Sequence, residues 1–104
     1  MQQRRNSLKV LEQLKQENIQ LKQRLAYALK LDTTKTFLER AEYLQLQFLQ
    51  NDQALALLHH DLVMLYQQYK PNQQQMESLE QDLEKMQQEF EHIKALCVDL
   101  PDTT

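Results

Sequence analysis

The chain contains no glycine. That omission removes the residue that most easily adopts left-handed backbone, and with it the usual tight hairpin turns and αL helix stops. A Gly-rich phosphate-cradling loop is excluded on the same ground. Gln, Leu, Glu and Lys dominate instead, and these side chains lose little rotamer freedom in a helix. β-branched residues are sparse, which leaves little material for strands. A chain of 104 residues with this make-up is expected to be one all-α domain.

The apolar residues fall into three segments by phase. In the first, residues 7–31, the seam reads Leu11, Leu14, Asn18, Leu21, Leu25 and Ala28. Its steps alternate between three and four, the spacing of a coiled coil. Asn6 or Ser7 is expected to cap it. Asp32-Thr33-Thr34-Lys35-Thr36 interrupts the pattern, which resumes two positions out of phase at Phe37, Ala41 and Leu44. Neither a stutter nor a stammer gives that shift, so a true break is expected, with Thr36 and Glu39 as a capping box.

The second segment spans residues 36–69, with Ala41, Leu44, Phe48, Asn51, Leu55, Leu58, Leu62, Leu65 and Tyr69 on its seam. Ala54, Ala56, Leu57, Val63 and Met64 lie off the seam yet are apolar. A helix apolar on several sides is expected to have neighbours on several sides. This is the expected core helix, with Phe48, Leu55, Leu58, Leu62 and Leu65 as core residues. Pro71 then removes a donor and biases Lys70 away from the α region. The heptad phase nevertheless runs through from Leu62 to Tyr69 to Met76. A break, with Pro71 or Asn72 at the new N-terminus, is favoured over one kinked helix. The third segment, residues 72–98, carries a narrow stripe of Met76, Leu79, Leu83, Met86, Phe90, Ile93 and Cys97. Leu100 is in phase with that stripe, but residues 99–104 are expected to be a disordered tail. The predicted architecture is an elongated helical hairpin or three-helix, coiled-coil-like bundle, assembled as a dimer.

Asn18 points to self-association. An asparagine on a leucine seam is costly in an apolar core unless it pairs, and self-pairing across a parallel dimer would satisfy it. Glu17 and Lys22 would then face each other across chains. The stretch from Leu14 to Leu25 resembles a leucine-zipper coiled coil over about two heptads. The resemblance implies pairing through Leu11, Leu14, Asn18, Leu21 and Leu25, and names no particular activity.

Charge and cysteine usage exclude several classes. The net charge is −3 with acids and bases interspersed, so there is no basic face for nucleic acid. No apolar run reaches the ~18 residues of a membrane span. The second segment is amphipathic without being basic, which argues against a membrane surface. The single cysteine, Cys97, cannot form an internal disulfide, and with no signal peptide in view the expectation is cytoplasmic. His92 and Cys97 are five apart and do not share a helix face, so neither a metal nor another cofactor is expected. No small-molecule substrate is indicated.

One polar cluster has a chemical reading. Leu58-His59-His60-Asp61-Leu62 resembles the phosphoacceptor box of dimeric helical-bundle phosphotransferases and sensor kinases. The resemblance implies that His60, at the outermost heptad position, takes a phosphoryl group with an adjacent carboxylate orienting it. Val63, Met64 and Leu65 stand where such boxes carry Asn or Pro. The expected function is therefore non-catalytic: a coiled-coil scaffold, adaptor or oligomerisation protein that binds itself or a partner helix. The alternative is a phosphotransfer or regulatory bundle using His60.

Overall fold

In the computed structural model of the chain, residues 2–70 and 72–101 are described, with side chains from residue 6 onward. Three helices follow one another: α1 (Gln2–Leu31), α2 (Lys35–Tyr66) and α3 (Gln73–Leu96). No strand occurs among the described residues. The helices pack as an all-α three-helix bundle, elongated to 55 × 24 × 18 Å. α2 touches both neighbours along its length, and α1 also meets α3. α1 and α3 run the same way and α2 runs against them, so that Arg40 near the start of α2 reaches Leu96 at the end of α3.

The three seams converge on one axis. Leu11, Leu14, Leu21, Leu25 and Ala28 of α1 pack with Ala41, Leu44, Phe48, Leu55, Leu58 and Leu62 of α2, and Leu83, Met86, Phe90 and Ile93 of α3 close the cluster. Leu65 is buried at the far end of the α2 seam. Each such Leu or Phe contributes roughly 1.5–3 kcal/mol when covered. Apart from Tyr69 and the half-buried Met76, the seams find that cover inside one chain.

The helix ends differ from their sequence signals in four places, one of them the end of α3, which comes at Leu96 and not at residue 98. α1 begins ahead of residue 7, and Ser7 is buried within it rather than capping it. The break between α1 and α2 is shorter than predicted. Asp32 accepts from the Thr34 N–H, and Thr34 in turn caps α2 by accepting from Phe37 N at 3.3 Å. The cap is thus Thr34, not Thr36: the Asp32 turn extends the backbone at Thr34 and lets the helix restart at Lys35. At the other end α2 stops at Tyr66, short of residue 69. Gln68 N–H bonds Leu65 O in a tightened last turn, and Tyr69 is 95% exposed. A proline at 71 disfavours α backbone at Lys70, and the chain needs the intervening residues to reverse direction. Pro71 itself lies outside the described residues. Asn72 caps α3, its Oδ1 accepting from Gln74 N at 2.8 Å, so the two segments are separate helices and not one kinked one.

The tail expectation needs correction as well. Leu100 is buried, and its N–H bonds Cys97 O at 3.0 Å. Two arginines from the other helices hold this turn. Arg24 of α1 donates to the carbonyls of Cys97 and Leu100. Arg40 of α2 donates to Leu96 O at 2.7 Å and pairs through both terminal nitrogens with the Asp99 carboxylate. Helix C-termini present unpaired carbonyls and partial negative charge, and these guanidinium groups answer both. The hydrogen bond from Arg40 holds the Asp99 carboxyl below the usual carboxylate range. Residues 102–104 of the expected tail lie outside the described residues.

Candidate interaction surface

The α1 seam is filled within the chain. Asn18 is 0% exposed, and its Nδ2 donates to Asp52 Oδ1 of α2 at 2.6 Å. Lys22 donates to the other carboxylate oxygen of Asp52. Leu11, Leu14, Leu21 and Leu25 lie around this polar contact in the same buried cluster. Glu17 pairs with Lys94 of α3 at 3.5 Å. Glu17 and Lys22, expected to meet across two chains, thus find separate partners on α3 and α2 of their own. Asp52 escaped the sequence reading because it stands one residue past the seam. The available signal was that the first two seams each carry an asparagine, Asn18 and Asn51, near mid-helix.

This polar layer is not fully satisfied. Asn18 Oδ1 and Asn51 Nδ2 are buried without hydrogen-bond partners. Asn51 is 7% exposed, so its orphan donor is held away from water at a cost of about 1–3 kcal/mol. Replacing it by a leucine of similar size is expected to stabilise the bundle by about 1–2 kcal/mol. Thermal unfolding of Asn51→Leu followed by circular dichroism should show a Tm higher by ~4–8 °C for each kcal/mol. An unchanged or lower Tm would mean the amide is already satisfied.

The histidine cluster spreads apart on α2. His59 lines the groove toward α1. Asp61 lines the groove toward α3, beside Leu65 and Leu79. His60 stands exposed between them on the outer face. The carboxylate expected to orient His60 therefore turns to a different side of the helix. Cys97 is fully buried, and burial pushes its thiol pKa up, as for a small packed side chain. Among the described residues no group of three or more His, Cys, Asp or Glu is placed to hold a metal ion. No helix among them is long and apolar enough to cross a membrane.

The outer face of α2 is a different kind of surface. Leu46, Leu49, Leu57 and Met64 fall on the side opposite the Leu44–Phe48–Leu55–Leu62 seam, because steps of three, seven or eight residues return to one side of a helix. Leu57 is 63% exposed and Met64 52%, with Leu46 and Leu49 similar. At 1.5 Å per residue the stripe is roughly 27 Å long. Beside it runs an open groove between α1 and α2, walled by Ile19, Ala26 and Leu29 on one side and Leu49 and Ala56 on the other. The Lys22–Asp52 pair crosses that groove near its middle. The outward face of α3 is polar by contrast, with Gln81, Glu84, Lys85, Gln88 and Glu91 exposed.

Set against known protein families, curated proteins and solved structures, the chain matches none of them. Fold and surface together define a class: a small, elongated three-helix bundle whose middle helix carries four exposed apolar residues on its outer side.

Proposed function

We propose that the protein is a non-catalytic interaction module that presents the outer face of α2 to another helix. One observation carries this reading. Apart from Tyr69 and Met76, the seams of all three helices are covered within the chain, yet Leu46, Leu49, Leu57 and Met64 remain half exposed or more along a single stripe. Isolated exposed leucines are ordinary, but these four recur along one side of α2, with the exposed Gln53 and His60 interleaved, as anchors set in a polar surround do at a contact site. A helix laid along such a stripe meets anchors at helical spacing, which is the geometry of helix–helix recognition. The proposed compartment is the cytoplasm, where a lone unpaired cysteine such as Cys97 stays reduced.

A photo-crosslinking amino acid placed at Leu57 tests the reading in cells, with the same group at Gln81 on the outer face of α3 as control. Protein adducts are expected from position 57 and not from 81. Equal yields at the two sites, or none at 57, would reject an interaction role for this face.

A further inference from the structure

We infer that the polar groove between α2 and α3 binds a small zwitterion of the α-amino-acid kind, held at Lys85, Glu89 and Asn51. The groove lies on a different side of α2 from Leu57 and Met64, so the site is separate from the interaction face proposed above.

The groove has a volume of about 580 Å³, and Ala54 keeps it open by contributing only a methyl group to its wall. Asn51 also lines it. That residue is 7% exposed, and its Nδ2 has no acceptor among the described residues. A buried donor without a partner is a standing cost to the fold, and local rules broken at such a cost mark functional positions. The terminal torsion of an asparagine is soft, so an acceptor laid in the groove can draw the Nδ2 toward it.

The charges facing the groove select the ligand. Lys85 and Glu89 of α3 both line it. They stand one turn apart, with Cβ atoms about 5–6 Å from each other. Neither has an ion-pair partner among the described residues. A lysine ahead of a glutamate is the poorer orientation for a pair at this spacing, which leaves both charges for a third party. One cation and one anion thus flank the orphaned amide.

Other ligand classes fit less well. A polyanion such as a nucleotide would meet one lysine and the Glu89 carboxylate. An acyl chain would lie against Gln47, Gln50 and Gln88, with only Ala54 and Ile93 as apolar wall. A metal ion finds no group of three His, Cys, Asp or Glu among the described residues. An α-amino acid carries opposite charges on one carbon and answers all three groups. Its carboxylate accepts from Lys85 Nζ and Asn51 Nδ2, and its ammonium donates to the Glu89 carboxylate. Contacts this open to solvent give weak binding, with a dissociation constant on the order of 1 mM.

Alanine and glutamine, added as free amino acids to the full nitrogen-15-labelled chain, are the probes. In proton–nitrogen spectra each should give saturable shifts at the Asn51 side-chain amide and at the backbone amides of Gln88 and Glu89. N-acetylalanine amide, which lacks both charges, should not, nor should sodium chloride at matched ionic strength. Lys85→Gln and Glu89→Gln should each weaken binding about tenfold. Both side chains are exposed, so the fold is retained and circular dichroism verifies it. Asn51→Leu should abolish binding while raising the Tm, a combination that a merely structural asparagine would not give. No saturable shift at concentrations well above the expected constant overturns the inference. So does an equal response to N-acetylalanine amide, or binding that survives any of the three substitutions unchanged. The crosslinks expected from Leu57 form or fail independently of these results.

Discussion

Phe90→Ala is expected to cost the bundle about 3–5 kcal/mol, the range for deleting a fully enclosed aromatic ring. Phe90 is 0% exposed and is the largest side chain on the buried stripe of α3. That stripe is narrow: Leu83, Met86, Phe90 and Ile93 are the buried residues of the helix. α3 is only 24 residues long and polar elsewhere, so it depends on docking rather than on its own propensity. The ring also lies 5.5 Å from Lys94 Nζ, whose ammonium sits over its face and is itself paired with Glu17 of α1. Losing the ring weakens the contact of α3 with both other helices at once. Domains of this size hold only about 5–15 kcal/mol in total, so the variant should sit near its unfolding transition. Urea titration should show the midpoint falling steeply with little change in slope. Gln87→Ala, on the exposed side of the same helix, should stay within ~0.5 kcal/mol of the native chain. A loss under 1 kcal/mol for Phe90→Ala would mean that α3 is not packed as described.

Helix existence was legible because each seam repeats at a period that only a helix satisfies, and the phase break at Asp32–Thr36 marked a boundary without any glycine. What occupies a seam was not legible. Leu14, Asn18, Leu21 and Leu25 look the same locally whether the covering helices come from a second chain or from further along the first, since knobs and holes have one spacing in both cases. The partner of Asn18 depends on which level of α2 lies beside it, and that is set by the length of the connection and the antiparallel turn. The same holds for the C-terminal turn. Leu100 was in phase with the α3 stripe, a signal that the chain continues to pack, yet its hold comes from Arg24 and Arg40 on other helices. No local rule pairs residues so far apart in sequence. The surplus apolar residues of α2 were plain in the sequence and implied cover on several sides. The bundle supplies α1 and α3, and leaves the side bearing Leu57 and Met64 open.

Asp52→Ala is the more discriminating perturbation, expected to destabilise by about 1–3 kcal/mol although its side chain is 38% exposed. The effect does not come mainly from Lys22, which is 41% exposed and whose ion pair contributes about 0.5 kcal/mol at most. It comes from Asn18. That amide is wholly buried, its Oδ1 already lacks a partner, and Asp52 accepts from its Nδ2. Removing the carboxylate leaves both ends of a buried amide unpaired, and an orphaned polar group costs more than the bond it lost was worth. A double-mutant cycle isolates this. In an Asn18→Leu background the amide is gone, so Asp52→Ala should cost only the surface pair, giving a coupling of about 0.5–2.5 kcal/mol between the two positions. Asn18→Leu alone should be close to neutral, since it trades one charge-assisted hydrogen bond for the removal of an unsatisfied acceptor. Strict additivity would mean that Asn18 finds its bonds elsewhere. If Asn18→Leu also altered the mass in solution, the α1 seam would be an inter-chain contact after all. Coupling with an unchanged mass would leave Asn18 and Asp52 as the polar lock between α1 and α2, and the open side of α2 as the surface left for a partner.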